Sequence, residues 1–320
     1  MVQHVFIINP VSGKVNAVNA FTPRILQAAE KMEQQVIIRH TEYSGHAQEI
    51  AQEYSQTGQE VRLYAVGGDG TLNEVLAGAY PYPNAYVASI PCGSGNDFIR
   101  SFGEQQEFLD IEGTMEGTAV PIDLIKVNNR ISAAICSTGL DAKVAYGIPK
   151  YRRIPLCGGT MAYDISIVEN LFKPLGYPLH IEVDGKVFED NYMIVTICNG
   201  MTYGGGYKAA PTADLQDGEL EVILVKKISR LKIPGILGTY KAGAHVENGE
   251  VIEKLRPMMQ YLRGRKINIT PQMEKPIIIN IDGECAPAPY LHAEIMPSAA
   301  RYILPVKVAA RFQGKIFQTV

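Results

Sequence analysis

The first third of the chain repeats one pattern, in which a short apolar run is followed by a polar loop and then, in most cases, by an amphipathic stretch. The runs are typical of buried strands, and the stretches space their apolar residues by three and four, as one face of a helix does. The predicted strands cover residues 5–8, 36–39, 61–66 and 86–90. Four successive strand-to-loop turns of one type predict a parallel, doubly wound sheet whose loops gather at the carboxyl ends of the strands.

The pattern changes near residue 121, and we place the domain boundary near residue 125. From there on, short strand-like runs separated by turns dominate, at residues 122–127, 131–137, 179–183, 193–198, 220–225, 266–270 and 277–282. Two stretches have a more helical pattern, residues 163–172 and 228–262. Many short strands between turns predict an antiparallel sandwich or barrel.

These two patterns predict an α/β chain of two domains, because 320 residues are too many for one small core. We expect a doubly wound α/β domain over residues 1–125 and an antiparallel β-sandwich domain over residues 126–293. The segment from about residue 294 to 320 is predicted to pack back on the first domain, which makes that domain discontinuous. We expect the active site to lie between the two domains.

Composition argues against several classes of protein. The chain is 46% hydrophobic and 20% charged, and no apolar run is long enough to span a bilayer. The amino terminus lacks the basic region and cleavage site of a signal peptide, so we expect no export. Five widely spaced cysteines without a C-x-x-C pair predict reduced thiols in the cytosol. A net charge of -3 without an arginine-rich stripe argues against nucleic-acid binding.

The candidate chemistry is concentrated in residues 67–73, which read Gly-Gly-Asp-Gly-Thr-Leu-Asn and join a predicted strand to a predicted helix. Free backbone N–H groups and the positive end of a helix dipole at such a corner suit a phosphate. Asp69 would repel that phosphate, so its presence predicts a cation between the two. The glycines taken alone are also compatible with an ordinary strand-to-helix turn.

Four motifs occur in series and resemble the diacylglycerol kinase catalytic family. They are Asn9-Pro10-x-Ser12-Gly13, Thr41-x-x-x-Gly45-His46-Ala47, the loop at residues 67–74, and Pro91-x-Gly93-Ser94-Gly95-Asn96-Asp97. The resemblance continues through residues 122–124, 214–220 and 282–284, so it covers the chain from about residue 5 to 305. NAD kinases and, more distantly, phosphofructokinases share the glycine loop, but the second NAD kinase motif has no counterpart here.

The resemblance implies an ATP-dependent lipid kinase that transfers the γ-phosphoryl group to the hydroxyl of a diacylglycerol-like lipid, with Mg²⁺ as cofactor. The implied nucleotide-binding residues are Asn9, Thr41, Gly67, Gly68, Asp69, Gly70, Thr71, Leu72, Asn73 and Ser94. Position 94 is more usually threonine in the family. Two alternatives stay open: a kinase of another alcohol, such as a sphingoid base, phosphatidylglycerol or NAD, and an inactive nucleotide-binding regulatory homologue.

Four carboxylates are the candidate catalytic residues. Asp69, Asp97 and Asp123 come from separate loops and are predicted to hold magnesium, because converging carboxylates require a counter-charge. Asp97 could instead be a helix cap and nothing more. Glu284 follows a predicted tight turn and is the candidate general base, with a pKa expected to be raised toward the working pH in a partly apolar cleft. The alternative is a solvent-exposed turn glutamate.

A second, structural magnesium is implied by the resemblance at Asp214, Asp217 and Glu219. Backbone carbonyls could supply part of the ligand shell of such a cation. The residues alone are equally compatible with an Asx turn ahead of the strand predicted at 220–225.

A lipid substrate implies contact with a membrane surface. Basic residues alternate with apolar ones at Lys226, Lys227, Arg230 and Lys232, which suits anionic headgroups as well as a solvated helix face. Further basic groups are Arg256, Arg263, Arg265 and Lys266, and Lys150, Arg152 and Arg153. We therefore expect a cytoplasmic enzyme of phospholipid metabolism that associates reversibly with the inner membrane surface. A homodimer is compatible with the sequence, and residues 306–320 receive no functional interpretation.

Overall fold

The computed structural model describes residues 2–13, 16–93, 95–152 and 160–312. The chain divides into two compact units, with limits at Leu124/Ile125 and at Met296/Pro297. The first unit comprises the described residues before and after these limits, and the second unit comprises those between them. The chain passes from one unit to the other inside two strands, β5 (Thr118–Val127) and β17 (Leu291–Leu304).

The sheet of the first unit is parallel. Its strands are β1 (Gln3–Ile8), β2 (Val36–His40), β3 (Val61–Gly67) and β4 (Ala85–Pro91). They lie in the order β2-β1-β3-β4, and Tyr302 near the end of β17 pairs in parallel with Val87 of β4. Strands of this kind read as near-continuous apolar runs because both faces of a parallel sheet are covered.

Helices follow the strands of the first unit. They are α1 (Ala17–Lys31), α2 (His46–Ser55), α3 (Asp69–Ala79), α4 (Ile111–Met115) and α8 (Val306–Phe312). Short 3₁₀ helices occupy Phe98–Ser101 and Gln105–Leu109. On α1 the side chains of Phe21, Ile25 and Ala28 are buried in the cluster that contains Phe6 and Tyr64 of the sheet. The predicted doubly wound α/β fold is confirmed.

The second unit is built from antiparallel strands. They are β6 (Arg130–Ser132), β7 (Ile135–Gly139), β8 (Tyr177–Val183), β9 (Lys186–Cys198), β10 (Leu220–Lys226), β11 (Val246–Glu247), β12 (Glu250–Val251), β13 (Met259–Gly264), β14 (Lys266–Pro271), β15 (Ile277–Ile281) and β16 (Glu284–Ala288). The main order is β16-β15-β7-β9-β8-β14-β17, and β10 pairs with β9 and β13. The predicted antiparallel sandwich class is confirmed.

The helices of the second unit are α5 (Leu140–Arg152), α6 (Thr160–Phe172) and α7 (Ile233–Lys241). Residues Arg230–Lys232 and Glu253–Leu255 form 3₁₀ turns. The core contains apolar side chains from both ends of the unit, among them Leu179, Val195, Val222, Ile267 and Leu291.

Three sequence predictions for the second unit were wrong. Residues 131–137 form two strands instead of one, because the carboxylate of Asp282 accepts the N–H groups of Ala133, Ala134 and Ile135 between them. The helical pattern predicted to residue 262 ends at Lys241, since β13 pairs with β10 instead. Helix α5 was not predicted.

The structure describes four of the five cysteines. Cys92, Cys136, Cys198 and Cys285 are free thiols. Cys157 lies outside the described residues. Within the part of the chain that the structure describes, helices that combine the length and the apolar character needed to cross a membrane are absent.

Candidate active site

The loops after β1, β3 and β4 meet at the carboxyl edge of the parallel sheet. The Cys92 N–H donates to the Gly67 carbonyl at 2.9 Å, and the Asn9 N–H donates to the Val66 carbonyl at 3.0 Å. A Cβ atom on Gly93 would lie 2.5 Å from the Cα of Gly68, so the two loops touch backbone to backbone. Glycine is therefore required at this contact by space alone.

Helix α3 begins at Asp69 without a side-chain cap. Gly68 is its extended N-cap residue and makes no side-chain capping hydrogen bond. A Cβ on Gly67 would lie 2.3 Å from Oγ1 of Thr71, which in turn accepts a hydrogen bond from Nδ2 of Asn9 at 3.2 Å. The N–H groups of an uncapped first turn and the helix dipole together form an anion-binding corner.

The remaining predicted nucleotide residues differ in what they offer. Asn9 also accepts the Val11 N–H at 3.2 Å, so its side chain orders the first loop as well as Thr71. Leu72 and Asn73 are buried, and the Leu72 side chain belongs to the apolar core. Thr41 follows β2 and donates its N–H to the Ile8 carbonyl at 2.9 Å. Ser94 lies outside the described residues.

Glu74 closes the other nearby helix end and was not predicted as a site residue. Its two carboxylate oxygens accept the N–H groups of Gly45 at 2.8 Å and Ala47 at 3.1 Å, at the start of α2. The N–H groups at the positive end of α2 are thus paired with a protein carboxylate, whereas the first turn of α3 contains Asp69 and its N-cap residue makes no side-chain hydrogen bond. The signal was present in the sequence, since Glu74 is the last residue of the glycine-loop motif.

Asp69 and Asp97 face the same point. A Cβ on Gly95 would lie 3.0 Å from Oδ2 of Asp69 and 3.4 Å from Oδ2 of Asp97. Asp69 also accepts the Phe98 N–H at 3.2 Å, and Arg100 Nε lies 3.5 Å from Oδ1 of Asp97. The Asp97 side chain makes no capping hydrogen bond to the 3₁₀ helix that follows it. Two adjacent carboxylates fit Mg²⁺, which is commonly held by one or two carboxylates, waters and substrate phosphates.

Asp123 has a different environment from the other two aspartates. It is 1% exposed on β5, and its Oδ1 accepts the N–H of Ser298 at 2.7 Å. Ser298 has a φ of 51°, so Asp123 stabilises a left-handed residue within β17. Among the described residues, groups of three or more histidine, cysteine, aspartate or glutamate side chains suited to a metal are absent. Asp69, Asp97 and Asp123 therefore do not form a cage made of protein ligands alone.

An aromatic cluster packs near the paired aspartates. Tyr302 stacks on Phe102 with ring centroids 5.5 Å apart and meets Phe98 edge-on at 5.1 Å. Burial, with a smaller contribution from the negative charge of Asp69, raises the pKa of Tyr302 far above its usual value. Strand β17 thus brings a distant part of the sequence close to the candidate cation site.

Glu284 lies at the tip region of a hairpin in the second unit. Asp282 and Gly283 form its two-residue turn with φ angles of 46° and 92°, as a type I′ turn requires. Burial raises the pKa of Asp282 to about 6, although its backbone N–H partners oppose the shift. Glu284 is exposed and forms an ion pair with Arg130. This guanidinium, which was not predicted, restrains the candidate base.

Asp141 is a further carboxylate that the sequence reasoning missed. It lies in the first turn of α5, and both of its oxygens are buried without a hydrogen bond of normal geometry. Burial raises its pKa to about 6, and the nearby Ser137 hydroxyl and Ala142 N–H oppose this shift only in part. The negative charge of Asp141 also helps to raise the pKa of the thiol of Cys285, the residue next to Glu284. The sequence signal was a Gly-Leu-Asp at a strand-to-helix turn.

The acidic loop at residues 214–221 surrounds an arginine. Arg263 on β13 forms ion pairs with Asp217, with Glu219 at 3.0 Å and with Glu221 at 3.4 Å. Asp214 is not part of this cluster; it accepts the Gln216 N–H at 3.1 Å, and Asp217 accepts the Glu219 N–H at 3.0 Å. The loop thus contains both the Asx turns of the alternative interpretation and a positive charge of its own.

Comparison with known proteins identifies the family. The sequence profile of the diacylglycerol kinase catalytic domain matches residues 3–127, and that of the YegS C-terminal NAD kinase beta sandwich-like domain matches residues 134–304. A diacylglycerol kinase of Staphylococcus aureus is 30% identical over 293 residues, which are 90% of this chain and 89% of that protein. The chain belongs to the diacylglycerol kinase family. The resemblance seen in the sequence is therefore confirmed, and with it the assignment to a family of lipid kinases.

Other members of the diacylglycerol kinase family agree. A diacylglycerol kinase of Bacillus subtilis is 29% identical over 289 residues, which are 87% of this chain and 88% of that protein. The crystal structure of a diacylglycerol kinase from Bacillus anthracis matches with a TM-score of 0.68 and 21% identity, over 96% of this chain and 98% of that one. At this identity the structural likeness supports the fold.

The second magnesium implied by the diacylglycerol kinase resemblance stays a prediction, and an arginine lies among its implied ligands. Asp217 and Glu219, two of the three implied ligands, are both paired with Arg263. A guanidinium carries five N–H donors in a fixed planar fork and has no lone pair to offer a metal. The guanidinium of Arg263 therefore supplies a positive charge to this loop from within the protein.

Proposed function

We propose that this chain is a magnesium-dependent kinase that transfers the γ-phosphoryl group of ATP to the free hydroxyl of a diacylglycerol-like lipid. The observation that carries the proposal is the uncapped amino terminus of α3 beside two adjacent carboxylates, Asp69 and Asp97, in a member of the diacylglycerol kinase family. Backbone donors for phosphate and carboxylates for a bridging cation are the parts that phosphoryl transfer needs.

The first unit supplies the nucleotide contacts in this proposal. The backbone N–H groups of α3 bind phosphate oxygens, and Asn9 orients Thr71 through their hydrogen bond. Asp69 and Asp97 would hold Mg²⁺, which would supply positive charge to the phosphates. Asp123 is a positioning residue in this scheme, because it acts through the backbone of Ser298.

We assign the general base to Glu284. Its carboxylate takes the proton of the lipid hydroxyl while the hydroxyl oxygen forms a bond to the γ-phosphorus and the bond from that phosphorus to the ADP oxygen breaks. Arg130 restrains the carboxylate through their ion pair. A positioned base of this kind contributes roughly 10²- to 10⁴-fold to the rate.

The acceptor defines the alternatives. A sphingoid base, phosphatidylglycerol or NAD has a hydroxyl that the same residues could phosphorylate. An inactive homologue would phosphorylate no acceptor. The presence of Asp69, Asp97 and Glu284 favours activity over the inactive alternative, because each has a role in the transfer.

The test is a transfer assay with γ-labelled ATP against a panel of these acceptors in detergent micelles. We expect label in diacylglycerol, dependence on Mg²⁺, and loss of transfer in Asp69→Asn and Glu284→Gln. Label in another alcohol would reassign the acceptor, and label in NAD alone would contradict the lipid kinase assignment. Wild-type protein that binds ATP but labels no acceptor would support the regulatory alternative.

A diacylglycerol-like substrate resides in a bilayer, so the enzyme must reach it there. We propose that the protein works in the cytoplasm and contacts the inner membrane surface transiently. The separate question is which part of the molecule makes that contact.

A further inference from the structure

The most exposed apolar side chains of the second unit lie where α6 ends and in the loop after β10. Phe172 and Leu231 are 82% and 92% exposed, the two most exposed large apolar side chains described in this unit. Exposing two large apolar side chains at one end of a unit has no benefit for stability in water. Their exposure therefore requires another explanation.

One arginine joins the two segments. Arg230 donates from Nε to the Leu171 carbonyl at 2.6 Å and from Nη2 to the Lys173 carbonyl at 3.1 Å. These carbonyls lie at the carboxyl end of α6, where a cation is favoured by the helix dipole. Because Arg230 precedes Leu231 and its partners flank Phe172, the two apolar side chains belong to one tip.

The same tip carries unpaired positive charge. Lys226 pairs with Asp190 at 2.7 Å, and Lys173 pairs with Glu169 at 2.7 Å, so these two lysines have acidic partners. Lys227 and Lys232 form no ion pair with any residue in the described ranges. The aliphatic stem of Lys227 lies over Gly176, where a Cβ would be 3.2 Å from that of Lys227.

A pocket opens beside the apolar tip. It has a volume of about 480 Å³ and is lined by Pro174, Leu175, Lys227, Ile228, Ser229 and Arg230. Its wall combines apolar side chains with a lysine, an arginine and a serine hydroxyl, a mixture that suits a phosphodiester attached to an apolar chain. The guanidinium of Arg230 is engaged with the end of α6, which leaves Lys227 as the primary partner for a phosphate.

We propose that this tip, defined by Phe172, Lys227, Leu231 and Lys232, docks on a bilayer that contains anionic phospholipid. Phe172 and Leu231 enter the boundary between headgroups and acyl chains, and Lys227 and Lys232 bind the phosphates around them. Of the other basic residues, Arg256 pairs with Glu250 and Arg263 with the acidic loop. Lys150 pairs with Glu169 at 3.4 Å, and Arg153 lies outside the described residues.

The biological purpose of membrane docking rests on the proposed function. The docking itself is independent of it. It is therefore tested without ATP and without a kinase substrate, by sedimentation of the full chain with phosphatidylcholine vesicles that contain or lack phosphatidylglycerol. We expect binding to the anionic vesicles, weaker binding as salt rises, and little binding to the neutral ones. Inorganic phosphate should compete no better than chloride at equal ionic strength, because the free anion lacks the apolar chain.

Two double variants separate the apolar and the charged contributions. Phe172→Ala with Leu231→Ala should lower vesicle affinity at least about tenfold, since both side chains lose the apolar burial that docking gives them. Lys227→Gln with Lys232→Gln should lower it about fivefold per lysine and flatten the salt dependence. The matched control is Lys186→Gln with Val187→Ala on the β8–β9 hairpin, where Val187 is 52% exposed, and it should bind as the wild type does.

The outcomes separate this proposal from the proposed function. Undiminished binding of the Phe172→Ala, Leu231→Ala protein, or an equal loss in the control, would overturn the docking assignment whatever the kinase assays show. Equal binding of wild type to neutral vesicles would overturn the role of the lysines. A kinase measurement adds a second readout: the apolar variant should keep wild-type transfer to a short-chain, water-soluble diacylglycerol and lose transfer to the same headgroup presented in vesicles.

Discussion

The nucleotide loops of the first unit and the carboxylates of the second unit obtain their chemistry in different ways. At the loops, backbone N–H groups of α3 and close glycine contacts such as Gly93 on Gly68 form the site. In the second unit, Asp141, Glu221 and Asp282 are charged groups with much of their carboxylate withdrawn from water, and burial raises the pKa of each. A site made of backbone depends on turn geometry, whereas a site made of buried charge depends on what the tertiary fold packs around it.

The largest expected effect contrasts the two regions directly. Glu284→Ala should lower kcat roughly 10²- to 10⁴-fold and leave ATP affinity nearly unchanged, because a base acts on the acceptor hydroxyl. Asp69→Ala should instead raise the ATP and Mg²⁺ requirements as well as slow turnover. Isothermal titration with ATP, beside steady-state assays, checks both variants. Much weaker ATP binding by Glu284→Ala would remove support for its role as base.

Asp141→Asn tests the cost of a buried charge. The raised pKa means that the folded protein binds a proton between about pH 4 and 6 that the unfolded chain releases, so wild-type stability falls as pH rises through this window. The variant lacks this loss. Its free energy of unfolding should therefore exceed that of the wild type by up to about 3 kcal/mol at pH 8, with almost no difference near pH 4.

Urea unfolding at the two pH values measures this difference, with the exposed Glu274→Gln as the control. A gain that is the same at both pH values would show that Asp141 is not a buried ionised group. Loss of kinase activity in the stabilised variant would add Asp141 to the functional residues of the second unit.

Gly93→Ala tests the backbone contact of the first unit. The added methyl group would lie 2.5 Å from the Cα of Gly68, so the loops must separate, at an expected cost of about 1–3 kcal/mol of stability and with weaker ATP binding. Gly238→Ala on α7 is the matched control, because a Cβ there meets no atom within 4 Å and the residue lies outside the nucleotide loops. Thermal unfolding and ATP titration check the pair. Equal behaviour of the two variants would mean that the loops are not closely packed.

Arg263→Gln tests the internal counter-charge of the acidic loop. The melting temperature of the Asp69→Asn protein, measured without nucleotide, should be the same in Mg²⁺ and in EDTA, since Arg263 already pairs with Asp217, Glu219 and Glu221. The variant should lose about 1 kcal/mol and recover part of it when Mg²⁺ is added. The Asp69→Asn background removes the nucleotide-site cation from the comparison. Stabilisation of that background by Mg²⁺ with Arg263 intact would contradict the assignment.

The contrast between backbone sites and buried charges also separates what could be predicted from the sequence from what could not. The strands β1 to β4, the glycine loop and the hairpin turn at Asp282-Gly283 were predictable, because apolar period, glycine and turn residues act within a few positions of themselves. The partners of the charged residues were not. Asp282 binds N–H groups at residues 133–135, and Asp123 binds that of Ser298, so each partner lies more than a hundred positions away.

The sequence alone therefore determined the fold class, the family and the place of the glycine-rich loops. Only the tertiary structure decided that Arg263 pairs with the acidic loop, that Asp141 is buried without a normal hydrogen bond, and that Phe172 and Leu231 share one exposed tip. The physical reason is the distance along the chain over which each kind of interaction acts. Backbone conformation is set by neighbours in the chain, whereas the state of a charge or of an exposed apolar side chain is set by whatever the fold brings within a few ångströms of it.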